Sequence, residues 1–456
     1  MSPRRLSWIA VVAAGAACVA PAADARQLRA QPGAAVLTLA AAAAGDTVTL
    51  EPGVHAGPLR LTRAVCLRGE PGAVVDGGHH GSVVEIGASG TVVEDLAIRG
   101  SGTRVLTTDG GIRVVGGGSV AFRRLVLRDV LYGIYAERAP SLTVEGCRLS
   151  GRVAPLDETG EGNGVHLWYC GDARLTRNAV DGFVDAIYLS FADGARIAGN
   201  RLRNNGRYGL HTMYCQGSIL AANEFTHNAA GCAIMFSNHL RVERNTFVHN
   251  RGPRTYGILL RDCSDGDFLA NRLVDNTVAV FMDNSNRNHL RGNLLQDNGW
   301  GLLIFSSCAG NEVADNDFLN NDYPVALDMR RTDNRFDDGR HGNYWSESAP
   351  YDLDGDGVSD VPYSPVGAFA FLSKQYPDLS VLAKSPAVAA LTVAERVFPA
   401  LRPSEVVDRY PRIAPAASSR VLEPGADDRR PDAAAAAGFA LLLAGGIAGL
   451  GWRLKP

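Results

Sequence analysis

NRLRNN (200–205), NEFTHN (223–228), NTFVHN (245–250), NRLVDN (271–276), NLLQDN (293–298) and NDFLNN (316–321) are six versions of one unit. In each, an Asn is followed five residues later by another Asn, and Asn178 opens the same series one unit earlier. Successive units begin 22, 23 or 26 residues apart. A short unit recurring at a near-fixed period is the mark of a solenoid, and it outranks every local propensity signal in the chain.

With the first Asn of each unit as position zero, other columns fall into line. Three residues before zero stand Leu175, Ile197, Leu220, Val242, Phe268, Leu290 and Val313, and two after stand Val180, Leu202, Phe225, Phe247, Leu273, Leu295 and Phe318. Thirteen before zero are Val165, Ile187, Leu210, Cys232, Ile258, Val280 and Leu303; eleven before are Leu167, Leu189, Thr212, Ile234, Leu260, Met282 and Phe305. The last two columns differ by two, the strand period, so alternate side chains point inward. The L-x-x-L-x-L pattern of leucine-rich repeats is absent. The expectation is an all-β chain, a right-handed parallel β-helix in which equivalent side chains stack about 4.8 Å apart. The Asn column reads as structural: a buried amide at a corner must bond the backbone and its neighbours above and below. Cys147, Leu125 and Leu96 continue the zero column backwards. This predicts about ten turns of about 22 residues, from roughly residue 65 to 335. Extra residues enter at 100–110, 151–162 and 251–255, all between one unit and the first strand of the next.

The ends differ in character. Arg4 and Arg5 precede an apolar run from Leu6 to Ala20, then Ala23-Asp24-Ala25, so residues 1–25 read as a secretory signal peptide and the mature chain as periplasmic. The β-helix domain is placed at 26–345 and a C-terminal extension at 346–432. Within the extension, an amphipathic helix around Ala387–Val397 is expected, either to cap the open strand edge of the solenoid or to dock on a partner. Residues 433–452 are Ala/Leu/Gly-rich and uncharged, a length that can just span a bilayer, and membrane contact through them is expected. The net charge of −3 gives no basis for nucleic-acid binding. Cys170, Cys215, Cys263 and Cys308 all lie eight before zero on alternate turns, about 9–10 Å apart and too far for disulfides. They read as a column of small interior residues.

Two outward columns lie between the inward ones. Twelve before zero are Tyr135, His166, Tyr188, His211 and Ala233; ten before are Glu137, Trp168, Ser190, Met213 and Met235. Imidazole with thioether is a soft ligand set suited to Cu(I), and the chain has only 5 Met, two of them in register here. His166, His211, Met213 and Met235 are therefore candidate copper ligands. The bland alternative is an apolar docking patch, with Tyr135, Trp168 and Tyr188 as partner contacts. Four after zero runs a polar column of Asn204, His227, His249, Asp275, Asp297 and Asn320, most simply a solvated corner. Asp275 and Asp297 form a carboxylate pair at a spacing suited to sugar chemistry. Asp352, Asp354, Asp356 and Asp360 surround a D-x-D-x-D-G turn resembling half a calcium loop. Tyr363 stands where an EF-hand places its bidentate Glu, and the alternative is an Asx-rich turn.

GNGVHLWYCGDARLTRN (162–178), YGLHTMYCQGS (208–218) and GNYW…YDLDGDGVSDVPYSP (342–365) resemble the NosD family, periplasmic accessory proteins of nitrous oxide reductase maturation. The resemblance covers about residues 30–400. It implies a non-enzymatic assembly factor working with an ABC transporter permease and ATPase, a copper chaperone and nitrous oxide reductase, in assembly of the reductase's copper–sulfur centre. It carries over no catalytic residues. The rival expectation is a carbohydrate-binding or polysaccharide-modifying β-helix protein.

Overall fold

The computed structural model describes residues 25–398 and 406–416, apart from residues 156, 158, 330, 383 and 384. The expected signal peptide (except Ala25) and the 433–452 segment lie outside the described residues. Among the described residues, no helix is long and apolar enough to cross a membrane.

Three parallel sheets run the length of a β-helix. The first has 13 strands, from Gln27–Ala30 to Glu312–Ala314; the second has 13, from Gly53–Ala56 to Tyr344–Trp345. The third, the wide sheet, has 12, from Leu59–Leu61 to Tyr323–Leu327, and its central strands run to six residues, as in Tyr208–Met213. The coils thus begin near residue 27 rather than 65, and the solenoid is longer than the ten turns expected. The missed coils are short: Val48 pairs with Leu67, only 19 residues on. The first coil also replaces two strands with helix α1 (Ala35–Ala41). Neither carries the Asn of the later coils, nor the 22-residue spacing that keeps the coils of Leu125 and Cys147 legible without one.

The inward columns make the core. Leu210, Leu220 and Phe225 are fully buried within one coil, and like stacks on like, as with the Phe225 and Phe247 rings 4.6 Å apart. One register differs from the sequence reading. Val280 pairs with Leu302 and Met282 with Ile304, so Leu303 and Phe305 are not the inward pair of that coil. The extra residue between Asn293 and Asn316 falls after the strand Trp300–Ile304, so counting back from Asn316 misses by one.

The zero-column Asn residues form a continuous ladder. Asn200 donates its backbone N–H (3.0 Å) and Nδ2 (2.9 Å) to Asn223 Oδ1, and Asn223 does the same to Asn245 Oδ1, both at 2.9 Å. Nδ2 of Asn223 also reaches the Ile197 carbonyl at 2.8 Å. A second ladder joins Asn205, Asn228, Asn250, Asn276, Asn298 and Asn321. A third joins Asn288, Asn311 and Asn334. Each buried amide is thereby satisfied, where an orphaned donor would cost about 1–3 kcal/mol. The corners turn on single left-handed residues in fixed columns: four after zero are Asn204, His227, His249, Asp275, Asp297 and Asn320, with φ from 50° to 57°.

The C-terminal end is covered. Helix α2 (Ala368–Gln375) lies against the last wide-sheet strand, with Phe369 and Tyr323 rings 5.9 Å apart. Helix α3 (Pro386–Val397), N-capped by Ser385, matches the expected helix and lends the Glu395 carboxylate to the Ala368 N–H at 2.9 Å. Asp408 ends the first ladder: its Oδ2 accepts from the Asn343 N–H at 2.7 Å and from Trp345 Nε1 at 2.8 Å.

Candidate functional site

The alternation of the wide-sheet strands sends the two candidate columns outward. Tyr135, His166, Tyr188 and His211 are consecutive register partners, as are Trp168, Ser190, Met213 and Met235. The parallel pairing stacks the rings. His166 lies between Tyr135 (4.9 Å) and Tyr188 (4.6 Å), and Tyr188 stands edge-on to His211 at 4.9 Å. The Tyr188 hydroxyl reaches Met213 Sδ at 3.6 Å, so one tyrosine touches both the imidazole and the thioether. Met213 and Met235 are direct register partners and half-buried.

The two histidines are held differently. Asn163 Oδ1 accepts from the Asp185 N–H at 3.2 Å, which turns its Nδ2 toward His166 Nδ1, 3.0 Å away. That network assigns His166 the Nε2–H tautomer. Burial pushes its pKa down to about 4, so the ring is neutral. His211, 6% exposed, places Nδ1 3.1 Å from Asp185 Oδ2. Its Nε2 is buried and meets no hydrogen-bond partner. Asp185 is fully buried and is gripped from its other side by Arg207, Nε to Oδ1 at 3.0 Å and Nη2 to Oδ2 at 2.7 Å. Burial alone would raise the Asp185 carboxyl; the bonds from His211 and Arg207 outweigh it and hold it below the usual range.

Sequence reasoning missed Asp185, which starts one wide-sheet strand, and Arg207, on the corner before the next coil's strand; neither belongs to a repeating column of its kind. It also missed four rings nine before zero. Tyr169, Phe191, Tyr214 and Phe236 stack at 4.7, 4.9 and 4.8 Å with near-parallel planes. All four sit at φ between 51° and 55°, and the first three are 40–44% exposed. The Asn ruler would have found them, since they occupy one column. Trp168 adjoins them, its ring 5.4 Å from Tyr169 and under the Arg138 guanidinium. Tyr135, expected at a docking surface, is 8% exposed and packed into the ring stack, so it offers a partner little.

Other candidate groups are committed elsewhere. His227 and His249 rings lie 5.5 Å apart, and His249 and Arg251 both pair with Asp275. Asp297 accepts from Gln296 at 2.9 Å. The paired Asp275 is not a free acid or nucleophile beside Asp297. The seven described cysteines are unbridged, and burial raises the Cys215 thiol to about 11 and Cys263 to about 12. In the acidic loop, Asp352 accepts from the Gly355 N–H at 2.7 Å and the Gly357 N–H at 3.0 Å. Asp360 turns to the Leu353 N–H at 2.7 Å. Asp352, Asp354 and Asp356 come together, their carboxylate oxygens within 4.8 Å of one another, and Asp360 is not among them. Calcium takes six to eight oxygens.

The fold defines the class, a parallel β-helix protein. Two solved structures share it: the Azotobacter vinelandii mannuronan C-5 epimerase AlgE4 A-module (TM-score 0.54, 17% identity, 64% of this chain and 92% of that one) and a PL6 alginate lyase (TM-score 0.52, 13% identity, 69% and 85%). At that identity they speak to fold alone. Residues 148–349 match the family described as "Periplasmic copper-binding protein (NosD)". The chain is 31% identical over 418 residues to the "Probable ABC transporter binding protein NosD" of Pseudomonas aeruginosa, covering 82% of this chain and 89% of that one. It is 27% identical over 382 residues to the protein of the same name from Stutzerimonas stutzeri, covering 79% and 85%. The chain belongs to the NosD family.

Proposed function

We propose that this protein is a periplasmic, non-enzymatic copper-handling factor that works with an ABC transporter, permease plus ATPase, in assembly of the copper–sulfur centre of nitrous oxide reductase. Copper is cargo on this reading. His211, Met213 and Met235 bind Cu(I) on the wide-sheet face, and the neighbouring Trp168, Tyr169, Phe191, Tyr214 and Phe236 strip receives the copper chaperone or the reductase. The observation that carries the reading is the buried, unpartnered Nε2 of His211 on the face that carries two in-register thioethers. One imidazole nitrogen with two thioether sulfurs is a donor set for a soft monovalent ion. The family description and the names of the relatives support the periplasmic copper and transporter parts.

The carbohydrate alternative has less to stand on. Sugar-binding aromatics present ring faces, and here the exposed rings cover one another's faces. The test is Cu(I) competition against a chromophoric chelator, with X-ray absorption of the loaded protein. Nitrogen and sulfur scatterers, and loss of binding in the His211→Ala/Met213→Leu/Met235→Leu variant with its thermal unfolding unchanged, are expected. Equal Cu(I) affinity in the variant would sink the proposal.

A further inference from the structure

We infer that Asp185 and Arg207 are positioning residues that hold His211 as the Nδ1–H tautomer and so make its Nε2 the metal-binding atom, which rests on the copper reading above.

His166 and His211 lie on the same outward column, two coils apart, and the sequence gives no reason to separate them. Their hydrogen bonds separate them. At His166, Nδ1 faces an amide donor, Asn163 Nδ2, which leaves the ring proton on Nε2. At His211, Nδ1 faces a carboxylate oxygen that can only accept, which puts the proton on Nδ1 and the lone pair on Nε2. A neutral imidazole free in water favours no such strict choice, so the partner decides. Metal-binding histidines characteristically donate their second nitrogen to a carboxylate in this way, which fixes the tautomer and the ring orientation.

Arg207 has a separate part. Its fork occupies both oxygens of Asp185, so the carboxylate cannot swing away from the imidazole. Arg207 is in turn seated over the Tyr208 ring, 4.8 Å from its centroid, and Tyr208 stands edge-on to His211 at 5.0 Å. The three side chains come from adjacent coils: Asp185 starts one strand, and Tyr208 and His211 belong to the next. Burial of Asp185 against Arg207 makes sense as orientation of the ring rather than as stabilisation, because a buried ion pair gains little net stability over apolar packing. His166 is accordingly a ring in the stack and not a ligand.

The first measurement needs no substitution. Nitrogen-15 NMR of histidine-labelled protein, with His211 assigned from the signal lost in His211→Gln, reports the tautomer directly. Nδ1–H is expected for His211 and Nε2–H for His166; Nε2–H at His211 overturns the inference. The second uses Asp185→Asn, in which an amide can present its N–H to the ring and invert the tautomer. Cu(I) affinity should then fall about 10–100-fold, as for loss of an outer carboxylate partner. If Asp185→Asn binds Cu(I) as tightly as the native chain while His211→Ala binds weakly, the positioning role is wrong and the ligand reading stands. If His211→Ala itself leaves the affinity unchanged, the copper reading has failed and this inference with it.

Discussion

Replacing Asp408 with Asn should change how the stability of this protein depends on pH, with a sign fixed by the structure. Asp408 is fully buried at the end of the first Asn ladder, where the coil before it supplies an Asn. Burial is the largest influence on its carboxyl and raises the pKa from 3.8 to about 6, against hydrogen bonds from the Asn343 N–H, the Trp345 indole and the Tyr410 N–H. A folded-state pKa above the unfolded value means that the folded chain holds the proton more tightly. The associated stability is present below pH 3.8 and is lost as pH rises through about 6. The whole interval corresponds to about 3 kcal/mol, of which about 1.4 kcal/mol falls between pH 7.5 and 5. His166 works the other way over the same range, since its depressed pKa removes stability as pH falls from 6.5 toward about 4. The informative quantity is therefore the difference between the native chain and the variant, in which His166 cancels. Urea unfolding at pH 7.5 and at pH 5 should show the native chain gaining about 1.4 kcal/mol relative to Asp408→Asn on acidification. The Asn amide would meet the Tyr410 N–H and carry a fixed cost, which the comparison between the two pH values removes. An identical pH response in both proteins would refute the assignment of a raised carboxyl pKa at the ladder's end.

Asn223→Ala should cost about 2–5 kcal/mol, because it orphans the buried Asn200 N–H and the Ile197 carbonyl together; a loss below about 1 kcal/mol in urea unfolding would show that the ladder is ornamental. Calcium at about 1 mM should stabilise the chain by no more than about 0.4 kcal/mol, since both Asp352 oxygens are turned to loop N–H groups and the fourth acid, Asp360, is turned to the Leu353 N–H. A thermal shift of several degrees on adding calcium would contradict that.

The periodicity carried most of the fold. An inward column must be apolar in every coil and a buried corner amide must find another amide, so stacking writes itself into the sequence at fixed intervals. Where stacking does not require a repeated residue type, the sequence falls silent. The first coils have no Asn and a 19-residue spacing, and they were missed. The count from Asn316 slipped by one because an insertion placed after a strand looks, in sequence, like one placed before it.

The site was legible to a different depth. The ruler put His166, His211, Met213 and Met235 on one outward face, because side-chain direction in a strand follows from parity alone. It also held, unread, the column of Tyr169, Phe191, Tyr214 and Phe236. Parity could not say which histidine keeps a free lone pair. That depends on what stands opposite each Nδ1, an amide from the residue that follows an insertion in one case and a buried carboxylate clamped by Arg207 in the other. Those partners are 3 and 26 residues away in sequence and recur at no period. The sequence by itself determined the coil, its faces and the residue types on them, because each is enforced once per turn. Only the tertiary structure decided protonation, burial and partner, because these are set by single contacts between coils that occur once in the chain.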